Sequence, residues 1–375
     1  MKILINAISA KQGGIVTYTQ NLAYSLLRRG VDFRIAVPPH LDHLPNAIPF
    51  AASDYYPIRR FICEQTAWRR HVSNWNPDVL FSSANYALLA CATKQVLLVR
   101  EGGLFDPFYM SMFAPEQGLN AALLRYLRRT LIQMSVARST MTIVPSDTLL
   151  DQLIAHNRTI ALKCLTLRYG TQVDRFAVPV RRSWRADGVL RILYVGVYYP
   201  HKIPSDLVLA AERLNAERFR CRIRLTMDEE QIAATPGSKW DLFHIRRGVS
   251  CGLVELGPIS FDDLPIAYAT HDVFVFPSVS ETFGHPMAEA LAAKIPIVAA
   301  GTAINREILG DCAAFYTPLR PSELAAAIRN IDADPGERER RTERGWRRVK
   351  ELFDWERYVD DLLRMFEDIT RVRRS

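Results

Sequence analysis

Phe276-Pro277-Ser278-Val279-Ser280-Glu281-Thr282-Phe283-Gly284-His285-Pro286-Met287-Ala288-Glu289-Ala290-Leu291 is the stretch from which the rest of the chain can be read. An apolar run, Val273 to Phe276, stops at Pro277. A polar loop then carries Glu281, Gly284 permits a sharp approach, and Pro286 suits the first position of a helix. The pattern predicts strand, loop and helix, with the helix running from Pro286 to Ala293 and Glu289 in its first turn or just beyond. Free N–H groups and the helix dipole around Phe283 to Met287 would attract an anion at the carboxyl edge of a sheet. Glu281 and Glu289 could accept hydrogen bonds from hydroxyls on either side of that anion. A diphosphate in the middle with hydroxyls at both ends describes a nucleotide sugar. The plain alternative, Glu289 complementing the helix dipole and Glu281 an ordinary loop residue, suits Glu289 but leaves Gly284 and Pro286 beside Glu281 unexplained.

Working outward, the same half shows apolar strands at Leu190 to Val195, Cys221 to Thr226, Gly252 to Leu256 and Ile297 to Ala299, with helices at Leu207 to Asn215 and Glu323 to Asn330. The first half repeats the alternation. Lys2 to Ile8 is a strand, Gly13-Gly14 a loop, and Val16, Leu22, Ala23, Leu26 and Leu27 recur at helical spacing. Phe33 to Val37, Val79 to Ser82, Gln95 to Val99 and Met141 to Val144 read as further strands. Strands separated by helices predict two α/β domains with parallel sheets. A polar, arginine-rich stretch from Pro179 to Gly188 reads as the linker between them. The expected division is 1–180, 188–354 and a final helix in 355–375, whose Tyr358, Leu362, Met365 and Phe366 fall on one face.

A chain of 375 residues suits two domains, and 49% hydrophobic with 23% charged residues allows each a core. The net charge of +8 is mostly arginine, in pairs such as Arg59-Arg60, Arg128-Arg129 and Arg246-Arg247, and suits an anionic ligand or membrane surface. No zinc-finger spacing, basic zipper or basic-aromatic tract points to nucleic acid. The six cysteines are scattered without metal spacing, which fits free thiols in a reducing cytoplasm. Met1 to Ala7 reads as a core strand rather than a secretion signal, and no run reaches the roughly 18 apolar residues of a membrane span.

Two further places could touch phosphate. Gly13-Gly14, between strand and helix, would let backbone N–H groups approach an anion, although a tight turn alone would also ask for glycine. Gly196-Val197-Tyr198-Tyr199-Pro200-His201-Lys202 follows a strand, and Lys202 could reach a diphosphate or simply be solvated. No GxGxxG occurs, which counts against a nicotinamide or flavin enzyme.

Taken together, Glu281 and Glu289 as E-x7-E, the flanking Phe-Pro-Ser and Ala-Leu-Ala, Pro296 to Ala299, Glu307 to Asp311, Gly13-Gly14, Ser146, Gly170 with Asp174-Arg175-Phe176, and Gly196 with Pro200-His201-Lys202 resemble the retaining GT-B glycosyltransferases of family four, group 1, of bacterial type. The resemblance implies two Rossmann-like domains facing across a cleft, an acceptor-binding first and a donor-binding second, with the C-terminal helix crossing back to the first. It implies that Glu289 binds the donor ribose, Glu281 contacts the sugar hydroxyls beside the reacting carbon, and Lys202 holds the departing diphosphate. Gly13, Gly14, Gly196, Thr282, Phe283, Gly284 and His285 would complete the donor site. It also implies a nucleotide-diphosphate sugar as co-substrate, no further cofactor and no essential metal. The implied activity is transfer of a hexose-type sugar to a glycan or lipid-linked acceptor in surface polysaccharide, lipopolysaccharide or glycolipid synthesis, in the cytoplasm or on the cytoplasmic face of the membrane.

Three departures from the family pattern stand out. Val197 replaces an arginine that often follows the glycine, and Lys294 takes the place of a helix-ending glycine, where a left-handed lysine would cost on the order of 1 kcal/mol. Arg100 and Glu101 stand where the family carries a histidine; they would either grip donor sugar or acceptor or form a structural salt bridge. A catalytically silent sugar-nucleotide-binding subunit and a nucleotide-sugar epimerase of the same architecture are the alternatives. The stretch Leu119 to Met134, with Leu123, Leu124, Leu127 and Leu131 among Arg125, Arg128 and Arg129, reads as a helix with Leu123, Leu127 and Leu131 on the core, or as a basic amphipathic contact with an anionic membrane.

Overall fold

Strands buried on both faces read as unbroken apolar runs, and Ile3, Leu4 and Ile5 of the first strand, exposed by no more than 1%, show why Lys2 to Asn6 could be read so directly. The computed structural model describes residues 1–11, 13–51, 55, 57–115, 118–178 and 182–371. Gln12 of the glycine loop and residues 179–181 of the expected linker lie outside the described residues.

Seven strands form the first sheet: β1 (Lys2–Asn6), β2 (Asp32–Val37), β3 (Ala47–Pro49), β4 (Val79–Ser82), β5 (Lys94–Leu98), β6 (Met141–Val144) and β7 (Cys164–Thr166). Their order is β3-β2-β1-β4-β5-β6-β7 and every pairing is parallel, with Ile3 beside Phe33 on one side and Val79 on the other. Six strands form the second: β8 (Leu190–Tyr194), β9 (Cys221–Leu225), β10 (Val254–Leu256), β11 (Val273–Phe276), β12 (Ile297–Ala300) and β13 (Ala314–Tyr316). These too are parallel, in the order β10-β9-β8-β11-β12-β13. In both sheets the order reverses beside the first strand, between β1 and β4 and between β8 and β11. Such a reversal leaves a crevice at the carboxyl ends of the two strands, where open α/β sheets bind ligands.

The chain packs as two units. One comprises Met1–Phe105, Leu123–Arg168 and Glu356–Ser375; the other comprises Asp106–Ala122 and Tyr169–Trp355. Stretches 106–122 and 169–178, inside the expected first segment, thus pack with the second sheet. The last helix, Trp355–Arg371, gives the first unit its Tyr358, Val359, Leu362 and Phe366, all nearly inaccessible. Tyr358 shares a 2.7 Å hydrogen bond with Tyr18 on the helix Gly14–Arg28, and Phe366 packs 5.4 Å from Phe81 of β4. Arg29 closes the seam with ion pairs to Glu356 and Asp360 at 2.7 and 2.9 Å.

The helix Gly118–Arg138 corrects one expectation. Leu131 packs on the first unit's core, but Leu123 is 69% exposed, as are Leu119 at 89% and Tyr126 at 63%. Ile132, Ser135 and Val136 are its buried residues, so burial is confined to its last two turns. Among the described residues no helix is long and apolar enough to cross a membrane.

Candidate functional site

Both loops that leave the β8–β11 reversal carry residues singled out by sequence. After β8 the chain passes Gly196 to a short 3-10 turn, Pro200–Lys202, that presents Lys202; after β11 it passes Ser278 and presents Glu281. The Lys202 ammonium bonds to Glu281 Oε1, and the same oxygen accepts from Ser278 Oγ at 2.7 Å. Lys202 is 8% exposed, with its Nζ 5.3 Å from the Phe276 ring centroid. Burial alone would raise the Glu281 carboxyl, but the Lys202 ammonium and the Lys202 and Ser278 hydrogen bonds outweigh it and hold the group ionised.

The two loops are fastened to each other. The Val279 N–H donates to the His201 carbonyl at 3.0 Å, the Tyr194 hydroxyl to the Lys202 carbonyl at 2.9 Å, and Asn305 Nδ2 to the Ser278 carbonyl at 2.9 Å. Ile203, next to Lys202, is left-handed at φ 42°, a conformation that β-branched residues rarely take. Strain of this kind persists where the surroundings over-determine it, and here it fixes the turn that aims Lys202. Burial and the Lys202 charge lower His201 to about 4, so its ring is neutral at physiological pH.

Gly284, with φ 76°, is the hinge into the helix His285–Ala292. The conformation calls for glycine; a Cβ there would also lie 2.6 Å from Met287 Cε, a terminal methyl that would have to shift. The Met287 N–H donates to the Gly284 carbonyl at 2.9 Å, which removes it from the free donors expected around 283 to 287. Phe283 is 1% exposed and packs edge-on to Tyr169 and Phe353 at 5.5 and 5.3 Å, so its side chain anchors the loop in the core. His285 stacks on Tyr169 at 5.0 Å; Thr282 is half-buried between Glu281 and Phe283. Glu289, 8% exposed, accepts from the Tyr268 hydroxyl at 3.0 Å. Burial raises its carboxyl to about 7 against the pull of Tyr268 and Arg175. The Gly196 N–H donates to Thr226 Oγ1 at 3.0 Å, so that donor ties β8 to β9 rather than standing open.

The remaining expected residues belong to the first unit. Gly13, at φ 71°, caps the helix Gly14–Arg28, and a side chain there would meet nothing within 4 Å. The Arg100 guanidinium lies 5.6 Å from the Tyr18 ring, and Glu101 pairs with Arg128 at 2.5 Å. For Glu101 the structural salt bridge is therefore the arrangement observed.

Several neighbours escaped the sequence reading. Asp106 bonds to Ser280 Oγ on the Glu281 loop, and Tyr109 meets the His201 ring edge-on at 5.8 Å. Both come from a stretch far away in the chain with no motif of its own. Glu64, 2% exposed and raised by burial to about 7, receives Asn6 Nδ2 at 3.2 Å at the carboxyl end of β1. It lies on the π-helical turn Glu64–Trp68, whose sequence gives no sign of that geometry.

The family model for Glycosyltransferase Family 4 matches residues 12–162, and that for Glycosyl transferases group 1 matches residues 190–334. The O-antigen chain mannosyltransferase B of Escherichia coli is 30% identical over 185 residues, covering 48% of this chain and 46% of the relative. The chain spans about half the length of the curated relatives it matches. Among solved structures, sucrose-phosphate synthase from Thermosynechococcus elongatus superposes with a TM-score of 0.78 at 18% identity, covering 99% of both chains. Anabaena HepE in complex with UDP-glucose gives 0.73 at 14% identity, covering 98% of this chain and 100% of its own. At such identity these two likenesses concern the fold, two Rossmann-like α/β units of the GT-B type. With a family match on each half of the chain and a GT-B fold, the protein belongs to the family 4, group 1 glycosyltransferases.

Proposed function

We propose that the protein is a retaining glycosyltransferase that moves a hexose-type sugar from a nucleoside-diphosphate sugar to an acceptor hydroxyl, without an essential metal, in the making of a surface polysaccharide, lipopolysaccharide or glycolipid. The observation that carries this reading is the buried Lys202–Glu281 pair at the β8–β11 reversal, with Glu289 on the helix that follows the Glu281 loop. In this reading Glu289 takes the ribose hydroxyls and Glu281 the sugar hydroxyls next to the anomeric carbon. Lys202 shifts from Glu281 toward the diphosphate as negative charge gathers there. The anomeric carbon–oxygen bond breaks with its electron pair leaving on the diphosphate. The acceptor oxygen attacks on the same face, and its proton passes to a departing phosphate oxygen. Glu281, ionised and held by Lys202, is a ligand rather than the base. HepE, on the same fold, was crystallised with UDP-glucose, which makes a uridine nucleotide sugar the first donor to try.

The test begins with a screen of nucleotide sugars by thermal denaturation, since a ligand that binds the folded state raises the transition. With the donor in hand, Lys202→Ala is expected to lower turnover by roughly a hundredfold or more, the range for losing one preorganised donor to a developing oxyanion. Near-normal turnover in that variant would remove Lys202 from the chemistry. Exposed Leu119, Leu123 and Tyr126 on the Gly118–Arg138 helix favour peripheral contact with an anionic membrane, where a lipid-linked acceptor would reside.

A further inference from the structure

Two adjoining cavities, about 450 and 580 Å³, open at the amino edge of the second sheet, the opposite edge from Lys202 and Glu281. Their walls share Arg220 and Arg222, and the larger is also lined by Arg191 and Arg224. The register explains the gathering. Arg191 of β8 lies directly beside Arg222 of β9, and residues paired in a parallel ladder point to the same face. Arg224, two residues on, shares that face with Arg222.

Like charges placed side by side on neighbouring strands destabilise a sheet. The acids at hand do not remove the cost. Asp187 is taken by Arg191 at 2.8 Å and by Arg182, Glu255 by Arg224 at 3.1 Å, and Glu212, in the wall of the smaller cavity, by Arg247. Among the described residues neither Arg220 nor Arg222 has an ion-pair partner.

We infer that this basin is a binding site for a small, soluble, phosphate-bearing anion, separate from the donor site and independent of the function proposed above. Arginine suits the task because its planar fork meets phosphate oxygens with two parallel hydrogen bonds. The site is concave, and of the apolar residues in its wall Ile223, Leu253 and Val254 are buried and Val189 is half-buried, so none is exposed. A membrane surface would ask for the reverse, a convex face with exposed apolar side chains. A soluble anion is therefore the occupant the geometry fits.

Pyrophosphate is a suitable probe, but Lys202 would compete for it, so the experiment uses the full chain carrying Lys202→Ala. At constant ionic strength, pyrophosphate should raise the thermal transition of this protein in a concentration-dependent way, as sodium chloride should not. Adding Arg220→Gln and Arg222→Gln should weaken that response by roughly tenfold or more. Without ligand these exposed replacements should leave the transition unchanged or higher, because they relieve the like-charge contact, and so they report on folding too. A response that disappears in Lys202→Ala alone, or that persists undiminished in the triple variant, overturns the site. So does flotation with phosphatidylglycerol vesicles that depends on Arg220 and Arg222, which would assign the basin to a lipid headgroup.

Discussion

Glu289 is asked to be buried and to be charged, and the conflict has a measurable outcome. Burial moves its carboxyl from the ordinary 4.5 to about 7. An acid raised in this way binds its proton more tightly folded than unfolded. Its contribution to stability is complete below about pH 4.5 and is lost as pH rises through about 7. Glu289→Gln is therefore expected to gain on the native protein between pH 5 and pH 8, by on the order of 2 kcal/mol. Glu64 and Asp206, also raised to about 7 by burial, keep their own pH dependence in the variant, so the difference between the two stability curves is the quantity to measure. Parallel curves would mean that Glu289 ionises without strain. At this scale the sequence was informative where chemistry and backbone demand coincide within a few residues, as at Glu281, Gly284 and Glu289. It was silent on Tyr268, Asp106 and Tyr109, because the contacts that bring them to the site join residues 21 or more apart with no spacing rule between them. At Phe283 the ring fills the core, which leaves only its backbone for the ligand contact expected of that loop.

The helix His285–Ala292 ends as the sequence foretold, with Lys294 left-handed at φ 52°. The Lys294 N–H donates to the Leu291 carbonyl at 3.1 Å and the Ile295 N–H to the Ala290 carbonyl at 3.2 Å, the two bonds of a Schellman ending. Lys294 also pairs with Glu343 at 3.1 Å and lies over Trp346, so a single replacement mixes backbone and charge effects. Comparing Lys294→Gly with Lys294→Ala separates them, since both lose the ammonium. The glycine variant should be more stable by about 1 kcal/mol in urea denaturation, and equal midpoints would deny the backbone cost. Long, apolar elements such as β1, β8 and β11 were legible because they are buried on both faces. The short strands Ala47–Pro49, Cys164–Thr166 and Ala314–Tyr316 were not, because three residues are too few to show a period and pairing alone defines them. The helix Pro335–Leu352 buries only Gly345 and Val349 and so offers no apolar stripe to read.

For the molecule as a whole, the +8 charge and the exposed leucines of the Gly118–Arg138 helix lead to a binding prediction. The protein should float with vesicles rich in phosphatidylglycerol and not with phosphatidylcholine vesicles, and Leu119→Ser with Leu123→Ser should abolish flotation without lowering thermal stability. Absence of binding to anionic vesicles would set the membrane contact aside. The α/β character and the alternation of elements were plain in the sequence, but the assignment of 106–122 to the second unit was not, since packing partners that distant leave no local trace. The last helix carries a consequence of another kind. Tyr358, Leu362 and Phe366 complete a core whose other members were synthesised first, with the entire second sheet in between. On a ribosome adding about 5 to 20 residues per second, β1 to β7 must wait roughly ten to forty seconds for that closing piece after residue 168 has been made. During the wait the place of Tyr358 and Phe366 beside Tyr18 and Phe81 is unfilled, so the half of the protein that is translated first is the half whose folding finishes last.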